Sequence, residues 1–264
     1  MKRPMLTGTP ILNYHRLLPE CPDNCAPFPT RFSISGQQFI YQLQQIRDNA
    51  FQSHLLTDFW RSDHSRETAR SIILTFDDGR DSDYHVAYPH LLEAEIVAEF
   101  FVNTSTICTS GFLSWAQIAE MRRSGMSFQS HSHDHVDLTL LGRVELRDQL
   151  QRSKQLLEDR TGSPVRFLAA PYSRVNTRVI AEACEAGYWA VCRSGSWPVS
   201  RCESLLHRIP IYGHTSIKEF RALVLLRANC YIGRAIRSAL SSIPKHLLLT
   251  FWPEWIARWR ERRE

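Results

Sequence analysis

The stretch Ile72-Ile73-Leu74-Thr75-Phe76-Asp77-Asp78-Gly79 decides how this chain is read. Its apolar and β-branched run has the length and composition of a buried strand, and the glycine closes it. Two adjacent carboxylates at the end of such a strand are expensive to desolvate, so one of them needs a cation for company. An Asp-Asp-Gly by itself is more often a turn than a catalytic site. What changes its weight is a second stretch further on, Ser130-His131-Ser132-His133-Asp134-His135. That cluster alone could equally be a solvated loop. Together with an aspartate, two of its imidazoles and a water can complete the coordination of a hydrolytic metal.

Working outward, short β-rich runs alternate with helical periodicity. Strands are expected at Ile11–Tyr14, Ile72–Phe76, Glu99–Val102, Ser127–Gln129, Phe167–Ala169, Trp189–Cys192 and Arg208–Tyr212. Helices are expected over Gly36–Asn49, Tyr84–Glu93, Trp115–Ser124, Val144–Asp159, Thr177–Glu185 and Ile217–Arg227. Gly125, Gly162 and Gly187 stand where a left-handed cap ends a helix. Such alternation implies a parallel sheet, and about seven units can close into a distorted (β/α) barrel; an open doubly wound sheet is the competing architecture. No glycine-rich phosphate fingerprint follows the first strand, which argues against a nucleotide fold. In a barrel the reacting groups gather where strands end. His15, Asp77 with Asp78, and the histidine cluster each follow a strand, so they are expected on one rim.

The chain has 264 residues, 43% of them hydrophobic and 22% charged, which is the balance of a soluble globular domain. Its net charge of +5 is uneven: from Lys218 onward there are ten Lys/Arg against four Glu. The body, residues 1–217, is therefore close to neutral, and the basic character belongs to an extension over 218–264. No nucleic-acid partner is expected. The seven cysteines form no regular framework beyond the close pair Cys21 and Cys25, so reduced thiols are the simplest reading and a Cys21–Cys25 clip the alternative. No signal peptide or membrane-spanning run is legible. The expected location is cytoplasmic, at the inner face of a membrane if the tail binds lipid.

Thr75-Phe76-Asp77-Asp78-Gly79 and His131-Ser132-His133-Asp134-His135 together resemble the polysaccharide deacetylases, the NodB-homology domain also called carbohydrate esterase family four. Val136-Asp137-Leu138, Phe100-Phe101-Val102, Trp115, Met121, Ser124-Gly125-Met126 and Ala170-Pro171-Tyr172 extend the likeness, which covers roughly residues 11–211. The resemblance implies that Asp78, His131 and His135 hold a divalent metal, typically zinc. It makes Asp77 the general base toward a metal-bound water, with the oxyanion reaching the backbone N–H of Tyr172. It also implies a barrel, a hydrolase removing an N-acyl group from an amino sugar, and a carbohydrate as partner, whether polysaccharide, oligosaccharide or lipid-linked glycan in exopolysaccharide synthesis. Pro171, Tyr172 and Trp197 are its substrate-contacting positions, with Trp197 as wall or ordinary packing.

Two departures stand out. Where the family carries an arginine that orients the base, this chain has Ala169, so the guanidinium is missing or comes from elsewhere; Arg166, Arg174 and Arg193 are candidates. The Leu-x-His that normally holds the general acid matches Leu205-Leu206-His207, which lies ahead of the expected last strand and so at the wrong rim. His15 is the preferred acid and His214 the alternative. These departures leave two rivals to an active deacetylase: a carbohydrate-binding pseudoenzyme, and a hydrolase of a non-sugar amide. In the tail, Trp252, Trp255 and Trp259 fall on one helical face beside arginines, an arrangement that suits either packing on the barrel or an anionic membrane.

Overall fold

The structure, a computed structural model, describes residues 5–19, 31–62, 70–199 and 203–242. The strands in chain order are β1 (Ile11–Tyr14), β2 (Arg16–Leu18), β3 (Ser33–Ser35), β4 (Gln52–Ser53), β5 (Ser71–Asp78), β6 (Glu99–Val102), β7 (Ser127–Ser130), β8 (Phe167–Ala169), β9 (Ala190–Ser194) and β10 (Leu205–Pro210). Seven of them form a closed parallel barrel: β5 through β10 pair in chain order, and β1 lies between β10 and β5. Strand β4 extends the lower part of β5, and β2 and β3 make a small parallel pair of their own. An open sheet is thereby excluded.

The helices are α1 (Gly36–Asp48), α2 (Leu56–Arg61), α3 (Tyr88–Glu93), α4 (Trp115–Arg123), α5 (Arg143–Thr161), α6 (Thr177–Glu185), α7 (Ile217–Val224) and α8 (Ala228–Ser242). Their starts follow from sequence: Ser35, Ser114, Asn176 and Ser216 each accept a backbone N–H of the first turn, relieving an otherwise unpaired donor. Gly125, Gly162 and Gly187 take the left-handed conformation expected of them. The boundary expected between residues 217 and 218 falls inside α7, whose Phe220, Leu223 and Val224 join the buried core with Tyr231 of α8.

Side chains alternate along each barrel strand, so one set faces the helices and the other fills the interior. The interior is layered. Its lower part is apolar, with Ile11, Ile73, Phe101, Phe167, Cys192 and Leu206 packed against Leu56 and Phe59 of α2. Helix α2 closes that end: the Leu56 N–H donates to the Glu99 carboxylate, at the start of β6, over 2.9 Å. Toward the strands' C-terminal ends the interior turns polar, with Asn13, Thr75, Asp77 and Arg208 all buried. Among the described residues, Cys108, Cys184, Cys192 and Cys230 are free thiols; Cys21 and Cys25 lie outside the described residues. No described helix is long and apolar enough to cross a membrane.

Candidate active site

Strand β5 runs two residues beyond its apolar core and ends on both aspartates. The parity of the strand sends Asp77 into the barrel and leaves Asp78 facing the rim. Asp78 already has positive φ (79°), as does Gly79 (68°), so the chain turns sharply at the carboxylate. Glycine suits this position, since a Cβ at Gly79 would lie 2.8 Å from the Val102 Cγ1 and one of the two would have to shift.

The Asp78, His131 and His135 donor atoms lie within 4.8 Å of one another. Asp78 Oδ1 is 3.6 Å from His131 Nε2 and 3.5 Å from His135 Nε2. Bonds of about 2.0–2.2 Å at tetrahedral angles put zinc ligand atoms roughly 3.3–3.6 Å apart, so these two spacings fit a shared ion. His131 Nδ1 lies 2.8 Å from the buried Ala169 carbonyl. It must donate there, which turns the lone pair of Nε2 toward the site. The loop bearing the histidines is fastened by the Ser132 N–H to Ser130 Oγ, by the His135 N–H to Ser132 Oγ, and by the Asp134 N–H to Gln149 Oε1. Ser132 and His135 both have positive φ, strain concentrated where a geometry is imposed. His133 points away and meets Thr104 Oγ1 at 2.6 Å, the structural place expected of it.

Asp77 is held by an arginine that none of the sequence candidates anticipated. Arg208 of β10 grips it with both ends, Nη1 to Oδ1 at 2.7 Å and Nη2 to Oδ2 at 2.8 Å. Arg208 is 1% exposed, and its guanidinium carbon lies over the Phe101 ring, 4.8 Å from its centre. Arg166 instead covers the Trp189 ring and Arg174 pairs with Asp137, while Arg193 is not among the partners of Asp77. The missing guanidinium thus comes from β10. The reason it escaped the sequence reading is register: the last strand was expected at Arg208–Tyr212, which placed Arg208 at its start. The strand is Leu205–Pro210, so Arg208 sits high in the barrel and His207, on the opposite face, packs against Gly195. A lone arginine inside Leu205-Leu206-His207-Arg208-Ile209 was the available signal, since a buried cation requires a buried anion. Asn13, in the equally apolar β1, is the second such case: its Nδ2 donates to Asp77 Oδ2 at 3.1 Å.

Burial is the largest single influence and pushes the Asp77 carboxyl up, but the charge and hydrogen bonds of Arg208 together with His131 and His15 outweigh it and the pKa ends below the usual aspartate value. Asp78 is likewise lowered against its burial, by His131 and then by His15 and His135. The His131 pKa is lifted despite burial by Asp77 and Asp78, whereas burial dominates at His15 and lowers it. Both aspartates are therefore ionised at neutral pH.

His15 reaches the site, with Nε2 3.9 Å from Asp77 Oδ2. His214 does not join that group; it stacks on Tyr212, centroids 5.2 Å apart. Pro171 and Tyr172 form a single tight turn after β8 in which Tyr172 has φ +56°. Its ring is 63% exposed and lies 4.9 Å from that of His135. Trp197 stacks on Tyr231 of α8, with centroids 6.2 Å apart.

The closed parallel barrel carries an Asp-Asp pair and a His-x-x-x-His cluster on its C-terminal rim, and the profile of the polysaccharide deacetylase family matches residues 64–191. That match covers just under half of the chain, which is similar over those residues to enzymes of this family. It is 24% identical over 219 residues to a putative polysaccharide deacetylase, YxkH, of Bacillus subtilis, covering 81% of this chain and 75% of that one. It is 27% identical over 187 residues to the poly-beta-1,6-N-acetyl-D-glucosamine N-deacetylase of Staphylococcus epidermidis, covering 62% of this chain and 65% of that one. Among solved structures, the Streptococcus pyogenes deacetylase PplD shares the fold with a TM-score of 0.74 at 24% identity, over 83% of this chain and 98% of that one. IcaB from Ammonifex degensii does so at 0.73 and 23%, over 84% and 98%.

Proposed function

We propose that this protein removes the N-acetyl group from amino-sugar residues of an oligomeric or polymeric glycan. The observation that carries the proposal is the convergence of Asp78, His131 and His135 beside a carboxylate, Asp77, locked by Arg208. A divalent ion held by the first three, zinc in keeping with their two-nitrogen, one-oxygen donor set, supplies Lewis-acid polarisation of the amide carbonyl and acidifies water.

The remaining steps belong to the chain's own residues. Asp77 accepts the proton of the attacking water. Its Oδ1 takes a hydrogen bond from Arg208 and keeps a lone pair for that proton, and its lowered pKa keeps it ionised. The water oxygen bonds to the carbonyl carbon, and the oxyanion is met by the Tyr172 N–H on its strained turn. When the carbon–nitrogen bond breaks, the leaving amine is protonated through His15, which stands beside Asp77 and passes on the proton that Asp77 took from the water. Acetate and a free amine result. Pro171 and Tyr172 shape the acyl pocket. Trp197, stacked on α8, is positioned for packing more than for that wall.

The substrate class is supported by the likeness to the Staphylococcus epidermidis enzyme. The absence of an arginine at position 169 favoured a binding protein without turnover, and Arg208 removes that reason. Acetate release from N-acetylglucosamine oligomers, with zinc added to the purified protein, is the test. Bound zinc with no acetate from any glycan would restore the binding-protein reading, and turnover confined to small amides would favour the non-sugar hydrolase.

Contact with an anionic membrane is supported by the ten Lys/Arg after residue 217 and by Ile232 and Ile236 standing exposed one turn apart on α8. Trp252, Trp255 and Trp259 lie outside the described residues. Flotation with anionic and neutral vesicles checks this: recovery with the anionic set alone is expected, and recovery with neither ends the proposal.

A further inference from the structure

Helix α5 buries Leu146, Leu150 and Leu157, and along the same stripe it also buries Gln149 and Ser153, one turn apart. Uncharged polar groups on an apolar helix face are costly unless they are bonded. Both are bonded to the segment that carries the histidines. Gln149 Oε1 accepts two consecutive backbone N–H groups, those of His133 at 3.2 Å and Asp134 at 2.9 Å. Its Nε2 donates to Asp134 Oδ2 at 2.7 Å. Ser153 Oγ lies 2.8 Å from Ser130 Oγ, which accepts the Ser132 N–H at 3.1 Å. The segment is also tied to the residues after β6, where the Ser105 N–H donates to the His133 carbonyl at 3.1 Å and Thr104 Oγ1 meets His133 Nδ1. The residues between His131 and His135 are thus gripped from both α5 and the β6 loop, and Gln149 alone makes three of the bonds.

We propose that Gln149 is a positioning residue for the metal centre: by holding the backbone of His133 and Asp134 it sets the separation and direction of the His131 and His135 imidazoles. This role rests on the reading of Asp78, His131 and His135 as ligands of one ion. The chemistry of the site selects an amide. Two backbone N–H groups need an acceptor and the Asp134 carboxylate needs a donor, and a primary amide supplies both from one side chain. A glutamate at 149 would accept the two N–H groups but set its second oxygen against Asp134. A leucine would fill the space and offer neither. The restraint matters because Ser132 and His135 hold positive φ, 67° and 53°, conformations that persist only where the surroundings impose them. His131 has a second anchor, its Nδ1 bond to the Ala169 carbonyl. His135 is less enclosed, with its side chain 31% exposed, and its place follows the turn that Gln149 braces. Loss of the clamp is therefore expected to displace His135 first and to leave Asp78 and His131 where they are.

The test measures zinc affinity by competition with a chelator, the visible spectrum with cobalt(II) in place of zinc, and the Tm of the metal-free protein. Gln149→Leu and Gln149→Glu are each expected to weaken zinc binding by about ten- to a hundredfold, the usual effect of removing a partner that orients a ligand, and to shift the cobalt bands. The double variant Gln149→Glu/Asp134→Asn exchanges the two ends of the bond. The new amide at 134 donates to the new carboxylate at 149, and both backbone N–H groups keep their acceptor. With Asp134→Asn completing the cycle, the double variant is expected to recover most of the affinity and the wild-type spectrum. Leu157→Ala, two turns further along the same buried stripe, measures general loosening of α5: a lower Tm with unchanged zinc affinity is expected. Wild-type affinity in both single Gln149 variants, an equal loss in Leu157→Ala, or a double variant no better than Gln149→Glu overturns the positioning role and leaves the metal site standing. Should Gln149→Leu fail to fold, Gln149→Glu and the double variant decide the matter. No zinc bound by the wild type overturns both readings.

Discussion

The two-ended grip of Arg208 on Asp77 sets the protonation of the base, and its loss has a sign that can be worked out. With Arg208 present, the Asp77 pKa lies below the ordinary value of 3.8, so the carboxylate stays ionised as pH falls through the usual aspartate range. Replacing Arg208 by Met leaves burial as the leading influence, which raises that pKa. The acid limb of the kcat/KM–pH profile is therefore expected to move to higher pH, with Arg208→Lys falling between the two because it keeps the charge but not the fork. A stability loss of about 3–5 kcal/mol accompanies Met, as an unpaired buried carboxylate remains; an unmoved acid limb in both variants would remove Arg208 from the mechanism. The two aspartates are separable in the same way. Asp77→Asn is expected to bind zinc and lose turnover, whereas Asp78→Asn or His131→Ala should lose zinc in a chelator titration. Loss of zinc in Asp77→Asn would exchange the aspartate roles.

Among the elements, the C-terminal end of β5 is the most demanding. Asp78 and Gly79 both turn with positive φ, and Gly79 packs against Val102 with no room for a methyl group. Gly79→Ala is expected to cost about 1–3 kcal/mol in backbone strain alone, read as a lower Tm, and to weaken zinc binding because Asp78 shifts with the turn. A variant with wild-type Tm and zinc affinity would mean that β6 gives way. Elements whose pattern is periodic were legible beforehand. Helix α1 begins at Gly36, where it was expected, and α5 ends on left-handed Gly162. The last strand was misplaced by a few residues because Leu205-Leu206 and Ile209-Pro210-Ile211 are equally apolar on either side of Arg208, leaving hydrophobic pattern without a clear edge. That small slip hid the arginine.

For the molecule as a whole, the closed end of the barrel carries a pH-dependent load. Glu99 is fully buried, its Oε2 has no hydrogen-bond partner among the described residues, and burial raises its pKa from an ordinary 4.5 to about 7. A carboxyl whose folded pKa is raised costs nothing below the unfolded value. Its cost appears as pH climbs above about 4.5 and is complete above about 7, where it reaches roughly 3 kcal/mol. Glu99→Gln keeps an acceptor for the Leu56 N–H and cannot ionise, so its Tm should exceed the wild type's at pH 8 and converge with it near pH 4. Parallel Tm curves would show that Glu99 is not the titrating group. The sequence by itself determined the alternation of strand and helix and the two short motifs, Asp77-Asp78-Gly79 and His131–His135, because each is written in local periodicity or in contiguous residues, while the resemblance they carry named Asp78, His131 and His135 as ligands and closure of the sheet into a barrel had to come from the strand pairing. Only the tertiary structure decided which arginine holds Asp77, that Asn13 donates to it, and that His214 stacks on Tyr212 and stays outside that group. Those depend on parallel strands far apart in sequence meeting inside one closed barrel, where register and the direction of alternate side chains choose the partners.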